Sequence, residues 1–125
     1  MLQTSHTDLE TARLLAKQLQ QAGGADTQKL MNVYSLISSL DPFDAPNHTA
    51  LGKLKMAAGD PATAAREFRA AVAAGSLDEA AAHVDLAESY VALGDKARAK
   101  KEAIAAMEVA PGYPRAQDLL LKLLP

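Results

Sequence analysis

Two Gly-Asp pairs, Gly59-Asp60 and Gly94-Asp95, stand 35 residues apart, and the residues on both sides of them fall into register at that spacing. His48, Leu51, Gly52, Ala64, Phe68 and Ala71 meet His83, Leu86, Ala87, Ala99, Ala103 and Ala106. A period between about 20 and 50 residues marks a stacked array in which each unit buries its apolar face on the next. The pair itself is turn chemistry between two helices: glycine takes the left-handed conformation that ends one, and aspartate caps the one that follows.

Glycine and proline punctuate seven helical stretches and leave no linker long enough to separate domains. The first is expected to start at Thr7, with Glu10 completing a capping box, and to stop at Gly23-Gly24. The second runs from Thr27 to Leu40, where Asp41-Pro42 forces the chain out of the α region. The third spans Pro46 to Ala58, and the fourth opens at Asp60-Pro61 and ends at Gly75. Ser76 and Glu79 predict a second capping box for the fifth, which reaches Leu93; the sixth runs to Ala110. Pro111-Gly112 then breaks the chain before a Leu-rich seventh helix from Pro114 to Leu124.

Composition agrees with helices. Aromatics are only 4% of the chain and tryptophan is absent, while alanine dominates a hydrophobic fraction of 49%, so the interior must come from slender helices in close approach. Valines and isoleucines never alternate as a strand requires. With 125 residues and one repeating pattern, a single domain is expected. A net charge of -2 gives no electrostatic reason to expect nucleic acid. No apolar run is long enough for membrane insertion, and residues 1–6 have no signal-peptide pattern, so a soluble chain is expected. The absence of cysteine excludes disulfides and thiolate metal sites and leaves the compartment open: cytoplasmic by default, extracytoplasmic if the chain is excised from a secreted parent.

The register of these residues resembles the tetratricopeptide repeat, whose pattern runs aromatic, Leu-Gly, Tyr, Ala, Phe and a closing Pro. Leu86-Ala87, Tyr90, Ala99, Ala106 and Pro111 carry it in one copy, and Leu51-Gly52, Ala64, Phe68 and Ala71 in the other. Both copies have His in place of the first aromatic, Lys55 stands for the tyrosine, and Ala103 for the phenylalanine. Residues Leu15-Ala16, Leu19, Tyr34 and Leu40-Asp41-Pro42 fit a degenerate copy. The resemblance implies an all-α superhelix, a right-handed solenoid of helical hairpins. It would hold a degenerate repeat at 7–44, repeats at 45–77 and 78–111, and a capping helix at 113–125 that covers the open end with Ala116, Leu119, Leu120, Leu123 and Leu124.

Catalytic constellations are missing: there is no Gly-x-Ser-x-Gly, no His-Glu-x-x-His and no phosphate-cradling glycine loop. The chain is therefore expected to be no enzyme and to take no cofactor. His48 and His83 occupy equivalent positions, but two imidazoles with no third ligand type nearby read as packing residues, and no metal is expected. Asp85 with Glu88, and the basic run Lys96, Arg98, Lys100 and Lys101, read as solvated faces, with Arg98 paired to Glu102 at i,i+4.

In the family, the first helix of each repeat lines a concave groove that holds a protein or peptide segment. Carried onto this sequence, the groove residues are Arg13, Lys17 and Gln20, then Thr49, Lys53 and Met56, then Val84, Glu88 and Val91. Some relatives clamp a C-terminal carboxylate there with asparagines and basic residues, but Ala50 and Asp85 stand at places where such residues are wanted. Two alternatives stay open. The run Leu119-Leu120-Leu121-Lys122-Leu123-Leu124 has more apolar residues than one face can bury, which fits a self-associating homodimer module. Leu40-Asp41-Pro42-Phe43-Asp44, the Gly59-Asp60 turn into Ala65-Arg66-Glu67-Phe68, and Ala116-Gln117-Asp118-Leu119-Leu120-Leu121 resemble the C-terminal repeat tails of bacterial gluzincin-like peptidases, which implies a regulatory accessory module without a zinc motif of its own.

Overall fold

The Gly-Asp turns explain how the chain passes from helix to helix. Gly59 and Gly94 have φ of 78° and 79°. The Gly59 N–H donates to Met56 O at 3.1 Å and the Asp60 N–H to Lys55 O at 2.9 Å; Gly94 and Asp95 repeat this on Val91 and Tyr90 at 3.0 and 2.9 Å. These bonds satisfy carbonyls that the helix end would leave bare. The same aspartates then start the next helix: Asp60 Oδ1 accepts from the Thr63 N–H at 3.2 Å, and Asp95 Oδ1 from the Arg98 N–H at 3.1 Å. One residue closes a helix with its N–H and opens another with its carboxylate, so each connection needs only three residues, Ala58-Gly59-Asp60 and Leu93-Gly94-Asp95.

The computed structural model describes residues 2–23 and 26–125, with side chains from Asp8 onward. Among the described residues there are seven helices: α1 (Leu2–Gln21), α2 (Thr27–Leu40), α3 (Ala45–Ala57), α4 (Pro61–Ala73), α5 (Glu79–Ala92), α6 (Lys96–Val109) and α7 (Pro114–Leu123). Helix α3 starts one residue before the expected Pro46, and two other starts differ by more. Helix α1 already includes Leu2, because no glycine or proline precedes Thr7 to stop it, so Thr7 sits inside the helix and not at its cap. The Thr7 side chain and Gly24 of the expected stop lie outside the described residues. Helix α5 is capped by Asp78, which accepts from the Ala81 N–H at 3.0 Å, and Ser76 is left with 3.4 Å contacts to the Asp78 backbone. A carboxylate at a helix start combines the hydrogen bond with its charge against the dipole, and so displaces the hydroxyl. Asp26 and Asp44 cap α2 and α3 in the same manner.

Successive helices pack in chain order, and α7 lies on both α5 and α6. Alanine makes the close approaches: Ala64, Ala99, Ala103, Ala106 and Ala116 are fully buried between helices. Leu30, Tyr34, Ile37 and Leu51 join α2 and α3 to Ala12 and Ala16 of α1, and Phe68, Leu86 and Tyr90 fill the middle of the stack. Ala116 and Leu123 of α7 are buried and Leu119 and Leu120 half-buried, while Leu121 and Leu124 face outward.

Candidate functional site

Odd-numbered helices bring their side chains to one face. Lys53 and Met56 of α3, Asp85 and Glu88 of α5 and Arg115 of α7 line one polar hollow, with Phe68 at its base. A larger, mainly apolar trough shares Lys53 with it and lies between Gln20 of α1, Leu30 and Tyr34 of α2, and Thr49, Ala50 and Lys53 of α3.

The expected groove residues divide by what already engages them. Arg13 is held by the α2–α3 connection, donating from Nη2 to Asp41 Oδ2 at 2.8 Å and to Asp44 Oδ2 at 3.0 Å. Gln20 Nε2 donates to the Tyr34 hydroxyl. Burial pushes the Tyr34 phenol up, against the lowering effect of that hydrogen bond. Lys17 and Lys53 are exposed. Thr49 and Met56 are half-buried, and Glu88 and Val91 exposed. Val84 is a correction: it lies at 0% exposure, packed with Ala106 and Ala116, because α7 covers the side of α5 on which it sits.

Arg115 was not anticipated. Its Nη2 donates to Asp85 Oδ1 at 3.0 Å and Glu88 Oε1 at 2.8 Å, and its Nη1 to the Tyr113 hydroxyl at 3.3 Å. Burial works against its charge, but the hydrogen bonds to Asp85 and Tyr113 and the charges of Glu88 and Asp85 outweigh it and hold the guanidinium above its ordinary range. Asp85 is itself buried, not solvated as the sequence implied. Two carboxylates one helical turn apart were the signal for a partner cation; the burial of Asp85, which makes a partner necessary, is visible only in the fold.

The two histidines each lie against a glutamate of their own repeat. His83 Nδ1 lies 2.7 Å from Glu102 Oε2, and His48 Nδ1 lies 3.5 Å from Glu67 Oε2, with His48 Nε2 2.7 Å from Pro42 O. Glu67 and Glu102 are themselves 35 residues apart, so the repeat pairs a histidine with a glutamate where the pattern has an aromatic. Glu102 is thereby withdrawn from Arg98, which pairs with Asp95 at 3.5 Å and lies over the Tyr90 ring at 5.9 Å. Among the described residues no three His, Cys, Asp or Glu side chains converge as a metal site would need. No helix among them is long and apolar enough to cross a membrane.

Paired helices stacked in chain order, with one face left open, define a helical-repeat solenoid. The family model described as Tetratricopeptide repeat matches residues 55–123, and the chain belongs to that family. It is similar in fold to the Yersinia enterocolitica type III secretion chaperone SycD in complex with a peptide of the translocator YopD, at 21% identity and a TM-score of 0.77 over 92% of this chain and 91% of that one. It is similar to the first repeat domain of Spaghetti (RPAP3) bound to the HSP90 peptide SRMEEVD, at 19% identity and a TM-score of 0.78 over 94% and 90%. MamA matches at 20% identity and a TM-score of 0.80, over 92% of this chain and 66% of that one. No curated protein sequence matches the chain.

Proposed function

We propose that the chain is a protein-interaction module that holds a peptide or protein segment on the face formed by α1, α3, α5 and α7, and performs no chemistry of its own. The supporting observation is the open apolar trough along α3, which the chain's own residues do not fill. The similar structures of SycD and RPAP3 carry bound peptides, which agrees with this reading. On this proposal residues 7–44, 45–77 and 78–111 act as three repeats, and 113–125 closes the end of the stack. Titrating unstructured peptides into isotope-labelled protein tests it: shifts should fall on the odd-numbered helices, and changes confined to α2, α4 and α6 would refute the proposal.

A second reading, self-association, rests on Leu121 of α7 and Leu124 just after it, which are 69% and 48% exposed. The resemblance to peptidase tails keeps only its sequence basis.

A further inference from the structure

The trough along α3 has about 540 Å³ of space. Leu30, Tyr34, Ala50 and Leu54 give it an apolar floor. Gln20 and Lys53 add polar groups to its lining, and Leu77 and Asp78 join it from the connection into α5. The Asp78 carboxylate is occupied in capping α5, and Leu77 is fully exposed.

Charge decides what fits. Arg13 and Arg115 are both spent on aspartates and a glutamate of the chain, whereas Lys53, and Lys17 one turn before Gln20, have no ion-pair partner among the described residues. Pro46 and Lys53 bound the trough along α3 and are seven residues apart, about 10 Å of helix or three residues of extended chain. In an extended segment alternate side chains point the same way, so two of them reach the floor.

We propose that the trough takes an internal, extended peptide segment that presents two apolar side chains, spaced two residues apart, to Ala50, Leu54 and Leu77, with an acidic side chain beside Lys53. This rests on the groove reading above and names the chemistry it selects. No free terminal carboxylate is used, since the acidic group is a side chain.

The probes are peptides acetylated and amidated at their ends: Leu-Ser-Leu-Ser-Glu-Glu and its reverse, the same pair with Lys for Glu, and the same pair with Ser for Leu. Shifts of labelled protein are expected at Thr49, Ala50, Lys53 and Ser76, saturating for a Glu peptide and lost for the Ser peptides. The Glu peptide should bind roughly threefold to fivefold more tightly than its Lys counterpart, as an exposed ion pair allows. Lys53→Glu, an exposed substitution that leaves the core intact, should reverse that ranking, and Leu77→Ser should weaken both peptides. An unchanged ranking in K53E overturns the proposal. Shifts centred on Glu88 and α7 overturn it while sparing the groove reading; shifts confined to α2, α4 and α6 sink both. Absence of saturable shifts with every peptide, or shifts that depend on protein concentration alone, overturns the trough assignment and leaves the groove to a partner of other chemistry or to a second copy.

Discussion

The ring of Phe68 lies against the backbone of Gly52 so closely that a Cβ there would stand 2.5 Å from Phe68 Cε1. In the following repeat the equivalent positions are Ala87 and Ala103, both fully buried. One repeat combines no side chain with a ring, the other two methyl groups, and either choice fills the space between paired helices. Replacing Gly52 with Ala gains up to about 1 kcal/mol of helix propensity, but overpacking against a core ring costs about 1–3 kcal/mol, so a net loss is expected. Phe68→Ala alone should cost about 3–5 kcal/mol. The pair G52A/F68A should then show strong coupling, with Gly52→Ala turning from harmful to favourable once the ring is gone. Urea unfolding of the four proteins, followed by circular dichroism, measures the cycle; additive effects would contradict the contact.

The Gly59-Asp60 turn predicts an acid dependence. Hydrogen bonds from the Thr63 hydroxyl and backbone N–H hold the Asp60 carboxyl below its ordinary value. A folded-state value depressed below the unfolded one adds stability that is present above the unfolded value and is lost as pH falls through the folded one. The stability difference between the wild type and Asp60→Asn should therefore be constant at neutral pH and shrink below about pH 4, the ordinary carboxylate range. Thermal unfolding of the two proteins from pH 7 to pH 2 is the check, and a difference that grows on acidification would be the wrong sign.

For the Leu-rich end, light scattering from micromolar to millimolar protein separates monomer from dimer. If α7 is an interface, the mass should rise with concentration and Leu121→Glu should abolish the rise at little cost to folding, since Leu121 is 69% exposed. A concentration-independent monomer leaves α7 as a cap alone.

The repeat, all seven helices and most of their ends could be read from glycine, proline and the 35-residue register, because those features act locally. What escaped reading was competition between neighbours in space. Ser76 could not be ranked against Asp78 as a cap without backbone geometry, and Arg98 lost Glu102 to a histidine nineteen residues earlier in the chain. Val84 has a groove position by register alone, yet the placement of α7 buries it. Lys53 and Arg13 were indistinguishable in sequence; only the fold brings Asp41 and Asp44 to one of them.

Arg115 and Asp85 make the last relationship testable. The guanidinium sits in the first turn of α7 and satisfies a carboxylate buried in α5, so it ties the start of one helix to the other. Arg115→Ala leaves Asp85 buried and without its partner, which costs about 1–3 kcal/mol. Asp85→Ala with Arg115→Ala removes the stranded charge and should recover some of that loss, whereas Glu88→Ala, at an exposed site, should cost under about 1 kcal/mol. Hydrogen exchange gives the local reading: amides of α7 in R115A should exchange faster than those of α2 and α3, and the double variant should restore much of their protection. Equal acceleration across the whole chain would mean that Arg115 contributes to global stability without positioning α7.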